Sequence, residues 1–241
     1  MFNKKIILLI AFFFALPALS QTTDEIVGKT LKSTGYSENI KKISTMAITC
    51  KGKMNGLDFT LSLWYKKPHF AKTEMQINNQ KTITCYNDID GWYTAPFKGK
   101  FKPVKMTQEQ FDIESSPLNE FFFLPLHEYK KRGFNVDFTG LEKIGRKLCY
   151  ALKIVSAKGD SAYWYIDPEN HLPYASKVIR RKSSDSKNVI VFYGEYKPVM
   201  GILFPHLYLT SPDSKQPLNY KWEKVDLNIP LKDDFFRIPS N

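Results

Sequence analysis

Residues Tyr165–Pro173, YIDPENHLP, place Asp167, Glu169, Asn170 and His171 within five positions. Two carboxylates, an amide and an imidazole that close could ligate a metal or exchange protons with a substrate. A metal site would need further ligands converging from elsewhere. The chain has only His69, His127, His171 and His206, with no H-x-x-x-H pair. The stretch lies between SAYWYI and YASKVIR, two strand-like runs. Pro168 fixes φ, Asp167 can cap a turn through its side chain, and Asn170 tolerates left-handed backbone. These residues are expected to form a turn.

Other chemistry-bearing patterns are equally sparse. There is no G-x-S-x-G elbow and no G-x-x-x-x-G-K-[ST] phosphate loop. Asp112 and Glu114 are lone acids near a helix end, and a glycosidase pair would have to be chosen arbitrarily from 24 acids. His127 in LHEYKK and His206 in FPHLY read as surface or packing residues. No catalytic residue, metal ligand set or cofactor motif emerges, so an enzyme is not expected.

The elements that must position any site are mostly strands. ISTMAITCKGKM leads into Asn55-Gly56, a strong hairpin signal, and LDFTLSLWYKK follows. Phe59, Leu61, Leu63 and Tyr65 fall on one face of that second strand. Asp58, Thr60, Ser62 and Trp64 fall on the other, the alternation of a sheet with one wet side. Ten further runs, from HFAKTEMQI to LNYKWEKVDLNI, continue the series with short connections. The expected fold is mainly β: one antiparallel sheet of about 10–12 strands, without repeats or a linker dividing it. Helical signals are few. TDEIVGKTLKSTG has acids early, lysines late and Gly35 at its end. Thr107 and Gln110 have capping-box spacing, and Ser116-Pro117 opens a third short helix.

The first twenty residues read as an export signal. MFNKK is basic, IILLIAFFFALPAL is apolar, and Ala18 and Ser20 supply small residues before cleavage. The expected mature chain is residues 21–241, a single domain. Removing residues 1–20 takes Lys4 and Lys5 from the 35 basic residues and none of the 24 acids, lowering the formal charge from +11 to about +9. No clustered basic stripe or recognised module points to nucleic acid. Anionic membrane surfaces or acidic partners suit the charge better. Cys50, Cys85 and Cys149 lie in alternating apolar segments; they read as buried thiols, with a Cys50–Cys85 bridge left open.

EFFFLPL is the unusual run. Phe121, Phe122, Phe123 and Leu124 cannot all face one core from one helical turn, because successive positions point about 100° apart. They form either a buried helix end wedged into the sheet or a lid, with Leu126, over an apolar cavity.

LWYKKPHFAKTEM, NDIDGWYTAPFKGKFKPVKM, YWYIDPENHLPYASKV, VMGILFPHLYL and DLNIPLKDDFFRIP resemble, in order, segments of LolA/LolB-type outer-membrane lipoprotein carriers. The resemblance covers nearly all of residues 21–241. It implies an incomplete, half-open antiparallel β-barrel with short helices covering its concave face, in the periplasm, binding acyl chains of lipoproteins or other lipids. No cofactor is implied, and membrane-bound donor and acceptor proteins would be the partners of a monomer. Lys67 stands where the family carries a basic residue before proline, usually an arginine that holds the lid; lysine's donors are less directional. Phe59, Leu61, Leu63 and Tyr65, with Trp92, become the expected cavity wall. A lipid-sensing module of the same fold is the alternative, an envelope hydrolase a further one. The carrier reading requires a roomy, apolar hollow.

Overall fold

A computed structural model describes residues 22–116, 125–179, 189–211 and 217–239. The export segment and the candidate lid residues Phe121, Phe122, Phe123 and Leu124 lie outside these. Thirteen strands form one antiparallel sheet. They are β1 (Thr45–Met54), β2 (Leu57–Lys66), β3 (Phe70–Ile77), β4 (Gln80–Tyr86), β5 (Gly91–Ala95) and β6 (Lys100–Lys105) in the first half. The second half holds β7 (Asn135–Ile144), β8 (Lys147–Val155), β9 (Ser161–Ile166), β10 (Pro173–Ile179), β11 (Ile190–Val199), β12 (Ile202–Thr210) and β13 (Leu218–Leu227).

Each half is a meander in which sequence neighbours pair. The halves join where β1 pairs with β13, so β6 and β7 are the two free edges. The sheet is therefore open, as expected, with thirteen strands against an expected ten to twelve. The strand absent from the sequence reading is β6, KFKPVK. Three lysines and a proline hide its alternation, and edge strands favour those residues because they block pairing with another chain.

Local chemistry accounts for the turns and helices. Asn55 and Gly56 both take positive φ, 51° and 82°, as a two-residue hairpin whose twist matches its strands requires. Helix α1 (Thr23–Ser33) is capped by Thr22, whose Oγ1 accepts the Glu25 N–H at 3.2 Å. A short α2 (Tyr36–Asn39) follows the left-handed Gly35. Helix α3 (Gln108–Glu114) closes its N-terminus with the expected Thr107–Gln110 capping box.

One face of the sheet carries the main core. Ile48 and Cys50 of β1, Phe59 and Leu61 of β2, Leu152 and Ile154 of β8, and Phe204 and Tyr208 of β12 join one buried cluster. For strands that distant in order to share a cluster, the sheet must curl around it. Ile26 and Val27 of α1, Tyr36 of α2 and Ile40 and Ile43 beyond it fill the middle, so these helices plug the inner face. The outer face carries two smaller clusters. Cys50 belongs to the inner cluster and Cys85 to an outer one, which rules out a bridge between them; all three thiols are free and buried. Burial pushes the Cys50 and Cys85 thiols up to about 12.

Candidate inner binding face

Strand β2 delivers its alternation as the sequence demands. Phe59 and Leu61 are buried, Leu63 and Tyr65 half-buried, and all four pack in the inner cluster. Leu126, just after the undescribed segment, is fully buried in the same cluster. Trp92 is not part of this face. Register places Trp64, Lys72, Cys85 and Trp92 in one row across β2–β5, on the side opposite Leu63. There Trp92 Nε1 donates to the Phe236 carbonyl at 3.2 Å, inside an outer cluster. The sequence reading placed Trp92 on the wrong side, because GWYTAP alone carries no mark of which alternate side is inner.

Lys67 reaches the plug. Its ammonium donates to the Ile40 carbonyl at 2.8 Å, joining the β2–β3 turn to the segment after α2. Burial lowers its pKa. His127 packs edge-on against Tyr36, with ring centroids 5.5 Å apart, and burial lowers its pKa too. Asp24 at the start of α1 accepts from Tyr129 and from Lys130, the latter at 2.8 Å, while Thr23 accepts the Phe138 N–H from β7 at 2.9 Å. The plug is thus held from both halves of the chain.

The second half adds an aromatic floor that the sequence reading did not single out. Tyr208 stacks on Tyr220 at 4.7 Å and on Trp222 at 5.5 Å; Tyr193 meets Tyr208 at 5.6 Å and Trp164 at 5.7 Å. The signal was present as period two in ILFPHLYLT and LNYKWEKVDL. Glu195, at φ 51°, interrupts β11, so Tyr193 and Tyr196 line one slot although three residues apart. The Tyr193 hydroxyl meets Ser176 Oγ at 2.5 Å, and Tyr196 donates to the Pro173 carbonyl at 2.5 Å. Burial raises the pKa of both phenols, so they stay neutral.

An open antiparallel sheet curled round a helical plug has solved counterparts. A LolA superfamily protein from Nitrosomonas europaea superposes with a TM-score of 0.57 at 11% identity, over 90% of this chain and 98% of that one. A DUF1329 family protein from Desulfovibrio piger gives 0.55 at 12% identity, covering 90% and 98%. A domain from Vibrio parahaemolyticus named for outer membrane lipoprotein sorting gives 0.55 at 10% identity, covering 87% and 95%. This is the LolA-like fold. No protein-family model matches the sequence, and no curated protein does. At such identities the likeness establishes architecture.

Within this LolA-like fold the inner face holds an enclosed slot beside the plug, away from Phe59, Leu61, Leu63 and Tyr65. The slot lined by Thr34, Tyr36, Trp164, Tyr193, Tyr196 and Phe204, among others, measures about 30 Å³. That is room for about two waters. A larger, open depression of about 490 Å³ lies at the hairpin ends of β1–β3, where Lys51, Lys53, Asp58 and Gln76 stand beside Phe59. Among the described residues, aliphatic side chains of the plug and aromatic side chains of the sheet pack together on the inner face.

YIDPENHLP forms the connection between β9 and β10. Asp167 Oδ1 accepts the Glu169 N–H at 3.0 Å, and Asn170 Oδ1 accepts the Leu172 N–H at 2.8 Å. The left-handed residue is His171, at φ 58°, where the sequence reading expected Asn170. His171 packs parallel to the Tyr150 ring, 6.4 Å away. Among the described residues no group of His, Cys, Asp or Glu could hold a metal. Asp167 is buried and ion-paired to Lys147. Burial raises its pKa, but the Lys147 hydrogen bond and the Glu169 N–H outweigh that and the net shift is downward. A depressed carboxyl contributes stability above its unfolded value, near 3.8, and loses it as pH falls through the folded pKa. In urea titrations, Asp167→Asn should therefore show a shallower loss of stability below about pH 4 than the parent protein.

Proposed function

We propose that this protein binds acyl chains of lipids or lipoproteins on its inner face and carries them within the periplasm. The observation that supports this most is a continuous apolar, aromatic inner face in a LolA-like sheet, covered by short helices held at a few points. The name of the Vibrio neighbour agrees with it. Phe59, Leu61, Leu63 and Tyr65 serve as wall in this reading. Leu126 and the Phe121, Phe122, Phe123, Leu124 run contribute cover, and Lys67 holds the plug. The likeness to lipoprotein-sorting folds and the absence of a convergent polar cluster on the inner face, among the described residues, favour binding over catalysis.

The small slot sets the mechanism. A ligand pocket for a drug-sized molecule spans roughly 300–1,000 Å³, an order of magnitude above the slot. A tail must therefore displace part of the plug. Each methylene leaving water contributes about 0.8 kcal/mol, so eight or so offset roughly 6 kcal/mol of displaced packing. The plug's own apolar residues then compete for the same surface, which assists release.

The filled interior also favours a second reading, an envelope module whose core is simply its own. Native mass spectrometry on protein purified from its own envelope, combined with uptake of a fluorescent fatty acid, separates the two. Carriage predicts co-purifying acyl lipid, uptake by the parent and loss of uptake in Leu63→Glu, a half-buried position where folding can be verified by circular dichroism. An empty spectrum together with no uptake sinks carriage and leaves the self-filled module.

A further inference from the structure

Residues 97–102 read Phe-Lys-Gly-Lys-Phe-Lys, and all six are exposed. They run from the 3-10 turn Pro96–Lys98 through Gly99, at φ 73°, into the edge strand β6. Phe97 is 61% exposed and Phe101 71%. Lysines and Pro103 on an edge guard against pairing with another sheet. Two bare phenylalanines at the same place work against that guard, so edge protection alone does not explain the segment.

The charges around it leave a positive surplus. Lys98 and Lys102 form no ion pair among the described residues. Lys100 donates to the Tyr93 hydroxyl at 2.5 Å. The neighbouring acids are engaged elsewhere: Asp90 with Lys105 at 3.3 Å, Asp112 with Lys158 at 3.0 Å. The Lys100 hydrogen bond, then Gln110, with the field of Lys98 among the smaller causes, draws the Tyr93 phenol below its usual pKa. Alternating lysines and exposed aromatics match a bilayer interface. Ammonium groups meet lipid phosphates there, and aromatic rings settle at headgroup depth.

We propose that Phe97–Lys102 is a docking tip for an anionic phospholipid surface, with Lys98, Lys100 and Lys102 at the headgroups and Phe97 and Phe101 inserted. The tip stands apart from the inner face, so the assignment does not depend on acyl carriage.

Co-sedimentation with phosphatidylcholine vesicles, with and without phosphatidylglycerol, tests it on the full exported chain. Binding should require phosphatidylglycerol and weaken steeply with salt. Reversing three lysines (Lys98→Glu, Lys100→Glu, Lys102→Glu) should lower the partition coefficient about 100-fold or more, since each basic residue near such a surface is worth about fivefold. Phe97→Ser with Phe101→Ser should lower it roughly tenfold. Both side chains are exposed, so the denaturation midpoint should hold. Lys32→Glu, Lys143→Glu and Lys197→Glu together make the same charge change on other exposed positions and should cost far less. The proposal fails if that control loses as much as the tip variant, if neutral vesicles bind equally, or if neither binds. It also fails if light scattering shows a dimer abolished by the phenylalanine substitutions, which would make a second copy the occupant.

Discussion

Phe236→Ala should destabilise the protein by about 3–5 kcal/mol, the range for deleting a fully buried aromatic side chain. Phe236 belongs to a C-terminal strap that crosses the outer face of β2–β5, and its side chain is completely buried. The ring meets Phe70 at 5.4 Å and Phe235 at 5.2 Å. Its carbonyl accepts from Trp92 Nε1 at 3.2 Å and from the Cys85 thiol at 3.3 Å. The strap is pinned on the N-terminal side of that contact. Lys66 donates to the Leu231 carbonyl at 2.7 Å and pairs with Asp233 at 2.5 Å, and the Lys72 ammonium sits 4.3 Å from the Phe235 ring centre.

Loss of the ring leaves a cavity over Cys85 that the hydrogen-bonded strands beneath it cannot collapse to fill. The guanidinium denaturation midpoint reports the stability, and a thiol reagent reports the place. Cys85 is inert in the parent protein, because burial pushes its thiol up to about 12. In the variant Cys85 should react quickly while Cys50 and Cys149, under other parts of the structure, stay slow. A cost under about 1 kcal/mol would mean that the strap opens independently of the sheet.

The strap shows where sequence reading runs out. Period two marks a strand and its two sides, and it located twelve of the thirteen strands and the β2 face of Phe59, Leu61, Leu63 and Tyr65. Period two does not say which side is inner. For β2 the polar partners Asp58 and Thr60 decided the matter. For GWYTAP nothing did, and Trp92 lies under the strap instead. DDFFRIP has no period at all, so two adjacent phenylalanines give no hint that they cover Trp64 and Cys85. The size of a cavity is legible even less. Alternation tells which residues share a side, but whether their rings meet depends on curvature, and curvature comes from the summed twist of many strands. The LolA-like resemblance carried the architecture and led to the expectation of a hollow. The stacked Tyr208, Tyr220 and Trp222 join Phe59 and Leu61 in one buried cluster, a contact that no single strand's pattern announces.

Whether the plug yields is decided most directly at Gly35. This residue holds φ at 68°, and a Cβ built on it would lie 2.1 Å from the Gly201 carbonyl oxygen in the β11–β12 turn. Around that contact the Leu203 N–H donates to the Thr34 carbonyl at 2.8 Å, and Asn39 Nδ2 donates to the Gly201 carbonyl at 3.2 Å. Gly35→Ala therefore adds left-handed strain of about 1–2 kcal/mol. Overlap with backbone that no rotamer can relieve adds about 1–3 kcal/mol. Both fall on the seam between plug and sheet. Hydrogen exchange should accelerate in α1 and α2 well before the β-strands. If acyl chains bind by displacing the plug, weakening its docking by about 2 kcal/mol raises the fraction of open molecules, and apparent affinity for a fluorescent fatty acid, about 30-fold. Phe236→Ala supplies the contrast, since it destabilises the opposite face and should leave uptake near the parent level. Faster exchange in Gly35→Ala without tighter uptake would separate plug from cargo, and the carrier reading would lose its mechanism.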